Sequence, residues 1–287
     1  FKQKTAYEIG VRLVGSEMCI RDSTISIQEI SAMTFQTHQF PYGDDNYGLL
    51  MHCTESGLTA CVDAGDAGAT EAALAETGWR LTHIFITHHH GDHTAGLDNL
   101  KEGHDASILG PTTDSAVSAL YDIRLSDGDE FEFAGRKVVV IATPGHTLDM
   151  LNFYIPEEDI VCTGDTLFVM GCGRIFEGDS DMMWASLEKL LALPDHTVIY
   201  CSHEYTLANA NFARSVDPDN TSLAARQGAV IELRDNDLPT VPTRLDLEKA
   251  TNPFLRVDNA KIRAHLGMEQ ASNAEVFAEI RRRKDNF

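Results

Sequence analysis

Positive charge is scarce in this chain. Across 287 residues, 23 Lys and Arg stand against 44 Asp and Glu, a formal net charge of −21. Nucleic acids and anionic membrane surfaces both require positive protein surface, so neither is expected as a partner; the acidity serves solubility. No apolar run approaches the ~20 residues of a membrane-spanning helix. Six cysteines occur (Cys19, Cys53, Cys61, Cys162, Cys172 and Cys201), none of them in a C-x-x-C pair. They read as reduced thiols of a cytoplasmic protein rather than as a disulfide framework. The start lacks an initiator Met and a secretory pattern, and residues 1–23 show no periodicity and a composition unlike the rest of the chain. This stretch reads as a translated sequencing adaptor fused ahead of the gene and is set aside, with the native start at Met33 or at a residue lost upstream.

What remains is long enough for one large domain, or a large one and a small one. Hydrophobic residues make up 43% of the chain, an ordinary share that permits a sizeable core. Alternation and turn residues predict strands over 35–40, 47–52, 59–63, 81–87, 107–109, 130–133, 137–142, 151–155, 160–162 and 197–201. Helices are expected over 70–77, closed by Gly78, over 94–101, and over 181–193 behind an Asp179-Ser180-Asp181 cap. The apolar face of the last is read as Met182, Trp184 or Ala185, Leu187, Leu190 and Leu191. Beyond Glu204 the pattern turns helical, over 205–216, 222–235, 260–266 and 273–284. That shift divides the chain into a layered sheet-and-helix domain over 24–203 and a helical domain over 204–287.

The most informative stretch is Thr87-His88-His89-His90-Gly91-Asp92-His93, between a buried strand and a helix. In extended chain, side chains two apart point the same way, so His88 and His90 converge while His89 faces elsewhere. Asp92 and His93 sit at the turn beyond. Three more ligand types come after apolar strands: His146 in Thr-Pro-Gly-His-Thr, Asp165 in Thr-Gly-Asp-Thr, and His203. Taken singly, each would be an ordinary turn or capping residue. Together they are polar groups delivered to the same end of their strands.

Seven donors are too many for one tetrahedral ion. Two ions fit, with His88, His90 and His146 on the first, Asp92, His93 and His203 on the second, and Asp165 bridging. Nitrogen and carboxylate donors without thiolate suit zinc, iron or manganese, zinc first. Two such ions ~3.5–4 Å apart share and acidify a water, which can then attack an electrophilic carbonyl without any protein nucleophile. Asp92 and Asp165 are therefore expected to serve catalysis as well as binding. Cys172 has no visible paired base and reads as a packing residue.

The T-H-x-H-x-D-H loop, T-P-G-H-T, G-D-T and the final His resemble the metallo-β-lactamase superfamily, an α/β fold built as an αββα sandwich. Narrower still, Gly164 to Phe168, the Gly171-Cys172-Gly173-Arg174 run, His203-Glu204-Tyr205-Thr206 and the basic C-terminus resemble glyoxalase II. The likeness runs from about Asp45 to the C-terminus. It implies hydrolysis of S-(R)-lactoylglutathione, the thioester met in methylglyoxal detoxification, to D-lactate and glutathione at a binuclear site. It also implies that Asp63 supports the ligating histidines from behind, and that Arg174, Phe176, Tyr205, Arg281 and Lys284 face the glutathione moiety. The family carries a Lys and a Tyr where this chain has Arg174 and Phe176. Arg keeps the cation, whereas Phe cannot donate a hydrogen bond.

Read without the family, residues 281–284 are an ordinary basic helix terminus favoured by the macrodipole. Rival readings are a persulfide dioxygenase, a lactonase or lactamase-like hydrolase, and a non-catalytic metal- or glutathione-binding protein. The helical region over 205–287 argues against the first two, and the complete ligand set against the third. Metal identity, acyl range and oligomeric state are not legible in sequence, a monomer being the default expectation.

Overall fold

The structure, a computed structural model, describes residues 34–287. The appended stretch inferred over 1–23, Cys19 and the candidate start Met33 lie outside the described residues.

Two six-stranded sheets form the frame. The first comprises, in order, β1 (Phe35–Tyr42), β2 (Asn46–Cys53), β3 (Thr59–Val62), β4 (His83–Phe85), β5 (Ser107–Pro111) and β6 (Ile123–Leu125). The second is built from β7 (Glu130–Phe133), β8 (Arg136–Ala142), β9 (Leu151–Ile155), β10 (Ile160–Gly164), β13 (Val198–Cys201) and β14 (Thr243–Arg244). A small hairpin, β11 (Leu167–Phe168) with β12 (Gly171–Cys172), comes directly after β10. The β7–β8 turn places Ala134 and Gly135 at φ 56° and 77°, the paired left-handed residues of a tight hairpin.

The sheets pack face to face because alternate residues of both are apolar: Leu49, Met51 and Phe85 meet Phe133, Val140, Phe153 and Ile160. Phe85 meets Phe133 edge-on at 5.4 Å and 85°. Each such buried ring contributes about 2–3 kcal/mol by area, an upper figure because unfolded chains are themselves partly compact. Helices cover the outer faces. α1 (Ala67–Thr77) and α3 (Leu97–Gly103) lay Leu74, Leu97 and Leu100 on the first sheet. On the second, α4 (Ser180–Leu191) packs together with α5 (Thr206–Val216), α8 (Ala260–Leu266) and α9 (Asn273–Asp285). The result is an αββα sandwich with a helical C-terminal region that also includes α6 (Thr221–Asp235) and α7 (Leu245–Thr251).

Several local expectations shift. α1 begins three residues early because Asp66 caps it, accepting from Ala69 N; the run Ala67-Gly68-Ala69 carries no apolar period to announce it. The helix expected over 94–101 is two: α2 (Gly91–Thr94) and α3. The break falls where Gly96 N donates to Ala64 O at 2.7 Å, a close approach that a Cβ at Gly96 would block. In α4, Met183 rather than Met182 joins Leu187 and Leu190 on the buried face. The two-residue strand β14, from beyond the composition shift, completes the second sheet antiparallel to β13.

Strand direction places the chemistry. β3, β4 and β5 are mutually parallel, as are β10 and β13. β8 runs with them, being antiparallel to β9, which is antiparallel to β10. Their C-terminal ends deliver Asp63, residues 87–93, His146, Asp165 and His203 to one edge. There Asn46 bridges to His203 across the two sheets.

Candidate metal centre and substrate cavity

Three groups of donor atoms, each within 4.8 Å of one another, form at that edge: His88, His90 and His146; His88, His93 and Asp165; and Asp92, His93 and His203. The first and third are the two sets expected from the sequence, and Asp165 lies between them. Its Oδ1 is 3.4 Å from His93 Nε2, and its Oδ2 is 3.3 Å from His146 Nε2 and 3.4 Å from His203 Nε2. His88 Nε2 and His146 Nε2 each stand 3.1 Å from His90 Nδ1. His89 points the other way, its Nδ1 2.9 Å from Asp149 and its Nε2 3.3 Å from Glu177.

The outward ring nitrogens explain why four imidazoles present Nε2 inward. His93 Nδ1 donates to Asp63 Oδ2 at 2.8 Å, and His203 Nδ1 to Asp45 Oδ1 at 2.9 Å. His146 Nδ1 donates to the Arg174 carbonyl at 2.8 Å, and His88 Nδ1 to Thr87 Oγ1 at 3.0 Å. With each proton fixed outside, inner lone pairs converge on one another, an arrangement that repels unless a cation lies between them. His93 Nε2 and Asp165 Oδ1 are buried without a hydrogen-bond partner. Orphaned polar atoms in a packed interior cost free energy, so their pairing with a metal accounts for them.

Electrostatics agree. Burial pushes His88, His90 and His146 below the ordinary imidazole value, leaving the neutral form that a metal requires. His93 and His203 go upward although burial opposes it, because Asp165 adjoins both and Asp63 and Asp45 lie behind them. Asp165 is itself held far below the carboxylate range by His93, His203 and His88, against its burial. Positive charge is favoured at this point whether a proton or a metal supplies it. Nitrogen and oxygen donors in two overlapping sets fit two divalent cations.

Glycines allow the close packing. A Cβ at Gly173 would collide with the Asp165 carbonyl oxygen, and one at Gly65 with that of Asp92. Asp63, at φ 62°, accepts from Thr87 N at 2.8 Å, so its left-handed turn ties β3 to the start of the histidine loop.

A cavity of about 430 Å³ opens above the cluster. One wall carries His90, His146 and Phe176, whose ring is 60% exposed and meets the two imidazoles edge-on at 5.8 and 5.2 Å. Another carries Tyr205, stacked on His203 at 4.8 Å and 4°. Arg174, Arg281 and Lys284 also line it, so all five residues expected to face substrate border one space. Arg174 is exposed, whereas Arg281 is buried and donates to the Cys172 carbonyl at 3.0 Å. Burial pushes the Cys172 thiol up to about 11, which leaves it inert.

Sequence reading missed Asp45, Asn46 and Thr87. Asn46 Nδ2 lies 3.2 Å from Asp92 Oδ2 and 3.4 Å from His203 Nε2. In the sequence Asp44-Asp45-Asn46 is an ordinary turn signal, and nothing in its spacing links it to a histidine 158 residues away.

Residues 56–203 match the metallo-beta-lactamase superfamily, and residues 204–287 match the family described as hydroxyacylglutathione hydrolase C-terminus. A hydroxyacylglutathione hydrolase from Rhizobium meliloti is 52% identical over 243 residues, 85% of this chain and 95% of that protein. One from Brucella ovis is 51% identical over 252 residues, 88% of this chain and 98% of that protein. Among solved structures, ETHE1 from Myxococcus xanthus superposes with a TM-score of 0.62 at 26% identity, covering 87% of this chain and 90% of that one. The BLEG-1 B3 metallo-beta-lactamase shares the fold alone, with a TM-score of 0.58 at 21% identity, covering 77% of this chain and 99% of that one. The helical region over 204–287, which the superfamily match leaves out, narrows the assignment: this chain belongs to the hydroxyacylglutathione hydrolase family of the metallo-beta-lactamase superfamily.

Proposed function

We propose that the chain is a thioester hydrolase that cleaves S-(R)-lactoylglutathione to D-lactate and glutathione. His88, His90 and His146 would hold one divalent cation, Asp92, His93 and His203 a second, and Asp165 both. Zinc is the ion we propose, iron and manganese being the alternatives that the same donors accept. When bound, such cations polarise a carbonyl oxygen and bring the pKa of water towards neutrality.

The remaining work falls to the protein. Asp63, Asp45, Thr87 and the Arg174 carbonyl fix the tautomers of four imidazoles before substrate arrives. Asn46 steadies the half-exposed Asp92 carboxylate. Arg174 and Lys284 offer charge to substrate carboxylates and ease departure of a thiolate. Tyr205 remains a neutral phenol at the rim, because burial and then Asp45 push it upward. Phe176 supplies an apolar wall where the family Tyr would donate a hydrogen bond. In this division of labour, the chain up to His203 carries the chemistry, and residues 204–287 together with Arg174 and Phe176 supply the grip on glutathione.

A cytoplasmic setting suits the five described cysteines, all free and buried. Among the described residues, no helix is long and apolar enough to cross a membrane.

The observation that carries this reading is the shared edge: two donor sets joined by one carboxylate, bordered by three cations in one cavity. The test is turnover of S-D-lactoylglutathione beside thioesters lacking glutathione, with metals counted on the same preparation. About two equivalents of metal and a preference for the glutathione ester are expected. Preference for another thiol would discard the substrate, and oxygen uptake with glutathione persulfide would discard the reaction.

A further inference from the structure

Two cations of the cavity wall share an anion that stands behind the lining, Asp285. Asp285 Oδ1 accepts from Arg281 Nε at 3.1 Å and Nη2 at 2.8 Å, and Arg174 Nε stands 3.6 Å from the same oxygen. Arg281 Nη1 is occupied by the Cys172 carbonyl. Lys284 lies over the Phe212 and Phe287 rings at 5.3 and 5.8 Å, its Nζ 3.3 Å from Ala208 O. Two of the three cations, Arg281 and Arg174, therefore face a carboxylate that the fold itself supplies.

The pair with Arg281 is an i,i+4 helical ion pair, worth only about 0.2–0.5 kcal/mol, and the macrodipole works against the carboxylate. Asp285 is the last residue of α9, where the macrodipole is negative and a cation is favoured. Its side chain is 36% exposed, so it adds little packing. Arg281 is only 5% exposed, and a buried guanidinium without a counter-ion is costly. Asp285 meets that need in the free enzyme. An incoming carboxylate offers the same chemistry and can take its place by rotation of one terminal side chain.

We propose that Asp285 is a built-in competitor for the substrate carboxylate. It occupies the Arg174–Arg281 position between turnovers and is displaced by the anionic tripeptide thioester, which rests on the proposed glutathione specificity. Binding is then an exchange of one anion for another. The net gain is small, KM is held up, and the glutathione product leaves readily. Asp285 touches no reacting atom; it sets affinity.

The test compares the full, metal-loaded chain with Asp285→Asn and Asp285→Ala. KM is measured for lactoylglutathione and for the same thioester with its glycine carboxylate esterified, and glutathione affinity is measured by calorimetry. Removing one charge about 4 Å from the docked carboxylate is worth about fivefold in water. Both variants should lower KM for the free acid and tighten glutathione by about that factor. The ester should shift by less than about twofold, with the acid-to-ester ratio of KM carrying the effect.

A raised KM, or equal shifts for acid and ester, overturns the proposal and leaves Asp285 as a prop for Arg281. Failure of the unsubstituted chain to bind glutathione or cleave its thioesters would instead remove the specificity reading, and this proposal with it.

Discussion

Asp63→Asn tests the logic of the centre without removing any proposed ligand. Asp63 is 4% exposed, with Oδ2 accepting from His93 Nδ1 at 2.8 Å and Oδ1 accepting from Thr87 N at 2.8 Å. Its φ of 62° is one that Asn also tolerates, so the backbone should survive the change. The amide can then sit in two ways. With its oxygen on Thr87 N, its NH2 faces His93 Nδ1, which must become an acceptor. The imidazole proton moves to Nε2 and blocks the lone pair aimed at the metal. Loss of such a support lowers metal affinity about 10–100-fold, or about 1.4–2.7 kcal/mol.

With the amide reversed, His93 keeps its tautomer but the backbone N–H of Thr87 loses its acceptor. Thr87 Oγ1 can reverse its own role, whereas the backbone cannot. A buried unsatisfied N–H costs about 1–3 kcal/mol. At this chain size that lowers Tm by roughly 2–4 °C per kcal/mol. Chelator competition reads the first outcome and the Tm of metal-free protein reads the second, so one of them must move. A variant with two equivalents of metal at the original affinity and an unchanged metal-free Tm would refute the account of how His93 is oriented.

Asp165→Asn should lower turnover by orders of magnitude and reduce metal content, because both donor sets lose their shared carboxylate; binding of a glutathione analogue should suffer less. Gly173→Ala should lose metal as well as stability, since its Cβ meets the Asp165 carbonyl; normal metal content would show that the hairpin can shift to accommodate it. Thiol titration of the native protein at pH 8 should leave Cys172, Cys61 and Cys201 unlabelled, as burial pushes them up to about 11, 12 and 12. At pH 8 the thiolate fraction of Cys172 is then about one in a thousand, and rapid labelling there would contradict its packing against Arg281.

The sequence by itself determined what local pattern can carry. Apolar strands and strand-end turns announced layered sheets flanked by helices and singled out seven candidate donors, because alternation and turns are properties of neighbouring residues; the αββα sandwich itself came from the resemblance of the motifs. Short pieces escaped: β6, β11, β12 and β14 have two or three residues each, too few for a period to register. The tertiary structure alone decided which nitrogen of each histidine faces inward, because Asp63, Asp45, Thr87 and the Arg174 carbonyl reach those rings from other strands and loops. It alone showed that Arg281 is tied to Cys172 and Asp285, not free at a helix end as its sequence suggests. Residue type sets what a side chain can donate or accept, and only the folded neighbourhood sets what it is paired with.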